Sequence, residues 1–73
     1  PKEQLAAIRD LLRTQSGEWT VKQIAAQFTG RATQNKLDAI TENLERLEWF
    51  GLVIPDQRDG ITYWHYAESS KVA

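Results

Sequence analysis

The chain has 73 residues, which is enough for one domain with a single small hydrophobic core. It contains no cysteine, so disulfides and thiolate zinc sites are excluded and stability has to come from packing. The formal net charge is -1 at pH 7, which argues against a strong, diffuse electrostatic attraction to nucleic acid. Any contact with DNA is therefore expected to be local.

The N-terminal part of the chain predicts a helix followed by a short strand. The helix is expected from about Lys2 to Thr14, because apolar residues recur there at helical spacing: Leu5, Ile8, Leu11 and Leu12. The pattern breaks before Gly17. Residues 18–20 then predict a short edge strand, with Trp19 as an anchor in the core.

A second helix is predicted from a capping box, in which the Thr20 hydroxyl and the Gln23 amide satisfy each other's free backbone N–H groups. Its apolar stripe consists of Val21, Ile24, Ala25 and Phe28. Gly30 is expected to stop the helix after Phe28, since glycine adopts positive φ without a steric penalty.

A third helix is predicted from about Thr33 to Gly51, and its core-facing stripe is formed by Leu37, Ile40, Leu44 and Leu47. The remaining residues predict a β-hairpin. We expect a strand from Leu52 to Ile54, a turn through residues 55–60 and a second strand from Ile61 to Ala67.

The order of these elements and three motifs resemble the winged helix-turn-helix family. The motifs are T-x-x-Q-I-A at residues 20–25, L-x-x-I-x-x-x-L-x-x-L at residues 37–47, and the junction L-E-W-F-G-L-V at residues 47–53. The resemblance implies an α+β fold with three helices, a short strand and a C-terminal β-hairpin wing. Residues 1–67 would form this domain, and residues 68–73 a disordered tail.

Two further strings, at residues 1–9 and 23–28, resemble the C-terminal appendage of large bacterial DNA methyltransferases from restriction-modification or phage-defence systems. The chain also begins at Pro1 and contains no methionine, which predicts a piece of a longer protein. The remainder of a larger parent protein is therefore an expected partner.

In DNA-binding members of the family, the start of the third helix enters the major groove. The corresponding residues here are Arg31, Thr33, Gln34, Asn35 and Lys36. Their side chains suit this role, because Gln and Asn can pair with adenine while Arg and Lys can reach guanine or phosphate. The resemblance thus predicts weak to moderate binding of double-stranded DNA. Equally, Thr33 could simply cap the helix and the other four could be solvated surface.

Two features limit this prediction. Further along the third helix, acidic residues outnumber Arg46 and would repel phosphates: Asp38, Glu42, Glu45 and Glu48. We expect Glu42 and Arg46 to form an i,i+4 pair. In the predicted wing, Arg58 is the residue equipped to contact DNA, but Asp56 and Asp59 flank it, so a solvated turn is the alternative.

The alternative function is protein–protein interaction or dimerisation, with docking through the aromatic hairpin and the acidic third helix. The last strand alternates Ile61, Tyr63 and His65 with Thr62, Trp64 and Tyr66, so only one set can face the core. Exposed aromatic residues on the other face would suit a protein interface, either with the parent protein or with a second copy of this chain.

Catalysis has little support in the sequence. His65 is the only histidine, so no metal site is predicted, and there is no glycine-rich phosphate loop. We predict no enzymatic activity, no catalytic residues and no cofactor. No apolar stretch is long enough to span a bilayer, so no membrane contact is predicted and the expected location is the cytoplasm.

Overall fold

The computed structural model describes residues 2–67 of the protein as a small α+β domain. Within them, three helices are followed by a two-stranded antiparallel hairpin: α1 (Lys2–Thr14), α2 (Val21–Ala26), α3 (Gln34–Trp49), β1 (Val53–Arg58) and β2 (Ile61–Tyr66). This is the layout predicted from the sequence. The predicted tail at residues 68–73 lies outside the described residues. Among the described helices, none has the length and apolar character needed to cross a membrane.

Local side-chain chemistry starts the second and third helices. The capping box of α2 is confirmed, because Thr20 Oγ1 accepts a hydrogen bond from the Gln23 amide at 3.2 Å and Gln23 Oε1 accepts one from the Thr20 amide at 3.0 Å. Thr33 caps α3 by accepting a hydrogen bond from the Lys36 amide at 3.2 Å. Each cap satisfies N–H groups that have no partner within the helix.

The end of α3 is a Schellman motif. Gly51 has a φ of +77°, and its N–H donates to the Glu48 carbonyl at 2.9 Å. The N–H of Leu52 donates to the Leu47 carbonyl at 2.9 Å, which reverses the chain and directs it into β1. The predicted end of the helix at Gly51 is therefore confirmed.

The predicted end of α2 is wrong by two residues, because the helix stops at Ala26. The Phe28 N–H bonds to the Ala25 carbonyl at 3.1 Å, so the chain tightens into a turn before it reaches Gly30. Gly30 does adopt positive φ, at +98°, but within the connection to α3. Phe28 still packs against the core from outside the helix.

One hydrophobic core joins all the elements. The apolar faces of the helices meet under the hairpin, and the central buried residues are Ile8, Leu12, Ile24, Ala25, Ile40, Leu44, Leu47, Val53 and Trp64. Asn43 is the one buried polar residue among those described, and its Nδ2 donates to Gln4 Oε1 at 2.9 Å. This hydrogen bond connects α3 to α1 and satisfies a group that would otherwise be costly to bury.

The hairpin has longer strands and a tighter turn than predicted. Only Asp59 and Gly60 form the turn, with φ values of +53° and +78°, which is the geometry of a type I′ turn. Pro55 lies inside β1 opposite Trp64. Because the N–H and C=O of Trp64 bond to the other side of β2, the position of Pro55 requires no N–H, and proline is tolerated in the strand.

The short strand predicted at residues 18–20 is reduced to a single bridging residue. The Trp19 N–H donates to the Trp64 carbonyl and the Trp64 N–H donates to the Trp19 carbonyl, each at 2.8 Å. β2 therefore lies between β1 and Trp19. The Trp19 indole packs against the core and donates to the Gln15 carbonyl at 3.0 Å, which connects the end of α1 to the sheet.

Candidate interaction surface

The outward face of α3 is acidic and ends in an aromatic residue. Asp38, Glu42, Glu45 and Trp49 follow one another at spacings of four, three and four residues, so they lie along one side of the helix, and all four are exposed. The buried residues of α3 occupy the opposite side: Ile40, Asn43, Leu44 and Leu47. The outward side of α3 therefore carries three carboxylates and one tryptophan.

Two large aromatic side chains at the end of α3 are open to solvent. Trp49 is 89% exposed and Phe50 is 69% exposed. Glu45 and Glu48 line a shallow depression together with Trp49. Large aromatic residues are normally buried in the core or at an interface, so two adjacent exposed ones require an explanation.

A groove lies beside this face, between the wing, the start of α2 and the middle of α3. Its volume is about 490 Å³, and its walls include Val21, Ile61 and Trp64. Glu45 lines both the groove and the depression next to Trp49, so the two are neighbours on the surface. The groove and the α3 face together form one surface, which is mainly apolar in the groove and acidic along α3.

Three of the residues predicted to contact DNA are engaged within the domain. Thr33 is the cap of α3. The Gln34 side-chain amide donates to the Asp38 carboxylate at 2.8 Å. Lys36 is half-buried, and its Nζ donates to the Thr29 carbonyl at 2.6 Å, so its charge is directed towards the turn between α2 and α3.

Arg31 and Asn35 are the other two predicted residues at the start of α3. Both are exposed. Among residues 2–67, neither makes a side-chain hydrogen bond or an ion pair, so both could reach a ligand without breaking an existing contact. The predicted cluster is thus divided between two available side chains and three that the fold already uses.

Arg58, the predicted wing contact, is held by three neighbours. Its Nη2 donates to Glu18 Oε1 at 2.6 Å, its Nε lies 3.5 Å from Asp56 Oδ2, and its guanidinium lies 4.2 Å from the centre of the Tyr63 ring. The hydrogen bond to Glu18 raises the pKa of Arg58 above its ordinary value. Arg58 therefore connects the wing to the segment between α1 and α2, and binding to phosphate would compete with two carboxylates.

The aromatic residues of the hairpin are less available than the sequence suggested. Trp64 is only 5% exposed, and Tyr66 packs against the core. On the other face of β2, Tyr63 is half-buried and lies beneath the Arg58 guanidinium. The most exposed aromatic residues of the described part are instead Trp49 and Phe50, at the end of α3.

Two other expectations concern charged or titratable residues. The predicted pair between Glu42 and Arg46 is absent from the ion pairs formed within residues 2–67, since both side chains are exposed and solvation competes with such contacts. His65 is half-buried in β2. No group of three or more potential metal ligands occurs in the part of the chain that the structure describes.

Comparison with known proteins gives no match. No family model, curated protein or solved structure matches the chain. The function therefore has to be argued from the surface itself.

The sequence contains a signal for the exposed aromatic residues, although the resemblance gives the segment 47–53 the role of a fold junction. Helical spacing nevertheless places Trp49 in phase with Glu42 and Glu45, opposite the leucine stripe. Asp38 is in the same phase, so Trp49 shares one side of the helix with three carboxylates, which indicates the side that faces solvent.

Proposed function

We propose that this domain is a protein-interaction module of winged-helix type, which docks onto its partner through the outward face of α3. The observation that carries the proposal is the 89% exposure of Trp49, at the end of the acidic side of that helix. The partner is a protein surface that combines apolar and basic groups. This is the alternative function predicted from the sequence, with the acidic third helix kept as the main contact surface and the hairpin aromatic residues no longer part of it.

Charge supports a basic partner. Asp38, Glu42 and Glu45 lie on one side of α3 without a basic residue on the same side, and Arg46 lies about 100° away from Glu45 around the helix axis. Opposite charges across an interface accelerate association and exclude partners of the wrong sign. The same carboxylates would repel the phosphates of a DNA duplex.

Burial of Trp49 by a partner would contribute substantially to the free energy of binding. An aromatic side chain can bury about 150–250 Å², so full burial of Trp49 corresponds to roughly 4–6 kcal/mol before the costs of association are subtracted. Tryptophan is among the residues that most often dominate binding energy at interfaces. Phe50, the next residue, is also exposed, but it lies about 100° from Trp49 around the helix axis, on the side of Arg46.

Isothermal titration calorimetry with a matched pair of peptides tests the proposal. Both probes are capped ten-residue peptides with the same leucine and alanine residues, but one carries four lysines and the other four glutamates. We expect the domain to bind the lysine peptide and not the glutamate peptide. Trp49→Ser is expected to weaken binding at least about 30-fold, which corresponds to the 2 kcal/mol that defines a dominant interface residue.

Variants of single charges test the electrostatic part. Glu45→Gln is expected to lower the affinity for the lysine peptide several-fold and to reduce its dependence on salt. Glu3→Gln is the matched control, because Glu3 is an exposed acidic residue on α1 that lines neither the groove nor the depression next to Trp49. Equal effects of the two substitutions, or unchanged binding by Trp49→Ser, would contradict the proposal.

DNA binding is the second candidate function, and it is favoured by the exposure of Arg31 and Asn35 at the start of α3. In this case the domain would belong to a larger bacterial DNA-processing protein, as its resemblance to methyltransferase appendages implies. Fluorescence anisotropy with duplex DNA at low salt should then show that Arg31→Gln weakens binding. Arg13→Gln, on α1, should have little effect. If the domain shows no salt-dependent binding of DNA, DNA binding is excluded as its function.

A further inference from the structure

Trp64 forms part of the wall of the groove beside α3 and is only 5% exposed. Its indole Nε1 is shielded from solvent and has no hydrogen-bond partner among residues 2–67. By contrast, the indole N–H of Trp19 donates to a backbone carbonyl at 3.0 Å. A buried donor without an acceptor is uncommon and calls for an explanation, of which an absent ligand is one.

The remaining walls of the groove suit a short peptide segment. The volume of about 490 Å³ lies within the range of ligand pockets, about 300–1,000 Å³. Val21 is half-buried and Ile61 is 47% exposed, so both present apolar surface that a ligand could cover. Lys22 lies at the α2 side of the groove and Glu45 at the α3 side.

We propose that the groove binds an extended segment of the basic, apolar partner, an inference that rests on the proposed function. An apolar side chain of the segment packs on Val21 and Ile61. A backbone carbonyl of the segment accepts a hydrogen bond from Trp64 Nε1, and a neighbouring lysine or arginine pairs with Glu45. Trp49, reached across Glu45, is then covered by the next part of the same partner.

Charge complementarity identifies this occupant. Glu45 belongs to both the groove and the acidic face, so a cation next to the apolar anchor meets the carboxylates on the α3 side. Lys22 faces the other end of the segment, where a backbone carbonyl can accept from its ammonium group. Because Trp64 Nε1 is covered in the free domain, side chains at the rim have to rotate on binding, which is a common change at protein interfaces.

NMR spectroscopy with the capped lysine peptide tests this inference directly. The three tryptophans provide three indole N–H signals, so that of Trp64 can be assigned from Trp64→Phe. We expect the peptide to shift the Trp64 indole proton downfield and to slow its exchange with solvent, since the N–H gains an acceptor. Trp64→Phe is expected to weaken binding about fivefold, as for one net hydrogen bond.

A second variant keeps the test decisive if Trp64→Phe does not fold. Ile61→Ser is expected to weaken binding of the lysine peptide. Ile54→Ser is the control and should leave binding unchanged. Ile54 is 46% exposed, almost the same as Ile61, but it does not line the groove. Peptide binding could depend on Trp49 but not on Ile61, with an unchanged Trp64 indole signal. This result would overturn binding in the groove and leave the proposed function intact. Absence of any binding of the lysine peptide would overturn both.

Discussion

Replacing Trp49 by serine tests whether this side chain has a structural role. Trp49 is 89% exposed, so only about a tenth of a side chain of roughly 150–250 Å² is covered by the domain. At about 25 cal/mol per Å², this area of roughly 20 Å² contributes about 0.5 kcal/mol to the free energy of unfolding. A change of this size should move the melting temperature by no more than about 4 °C.

Trp64→Ala is the matched comparison, because it removes the same residue type from the core. With 5% exposure, its loss should cost about 3–5 kcal/mol. A domain of 73 residues has a free energy of unfolding of roughly 4–11 kcal/mol, so this variant should lose between about a quarter and all of its stability. Urea denaturation followed by circular dichroism measures both changes. If Trp49→Ser loses more than about 1.5 kcal/mol, Trp49 is a structural residue and its availability to a partner is refuted.

Three further predictions concern local features. Thr20→Ala should cost about 1 kcal/mol by removing the cap of α2, and Thr20→Ser should restore most of it, as measured by urea denaturation. Gly60→Ala should cost about 1–2 kcal/mol because φ is +78°, although the space around it is open; an unchanged midpoint would disprove the type I′ turn. Hydrogen bonds from Arg13 and then Arg9 hold the pKa of Asp10 below 3.8, so its stabilising effect is present above pH 3.8 and is lost as the pH falls through the lower folded-state value. Arg13→Gln should raise the pKa of Asp10, and an NMR titration of its carboxyl carbon that shows no change would exclude this cause.

The helix starts and the end of α3 were predictable because the signals are local. Thr20 with Gln23, and Gly51 with its neighbours, act within four or five residues along the chain, and the structure places them as the sequence indicates. The predicted hairpin turn is too long, because Pro55 and the acidic residues after it also favour turns. Asp59 followed by Gly60 was the stronger signal, since this pair matches a two-residue turn.

The engagement of the predicted DNA contacts could not be derived from the sequence. Lys36 bonds to the Thr29 carbonyl because the turn between α2 and α3 brings that carbonyl within reach. Arg58 meets Glu18 across 40 residues of chain, since β2 places the wing beside the segment that follows α1. Contacts of this kind depend on tertiary structure, whereas side-chain chemistry alone left both DNA contact and a solvated surface open for these two residues.

The central claim is that the outward face of α3 binds a basic protein segment in preference to DNA. The most direct test is NMR spectroscopy of one labelled sample. Its amide chemical shifts are recorded during two separate low-salt titrations, one with the lysine peptide and one with duplex DNA. We expect the peptide to shift the signals of Glu42, Glu45 and Trp49, and DNA to leave them unchanged. Salt-dependent shifts with DNA at Arg31 and Asn35, together with no response to the peptide, would contradict it.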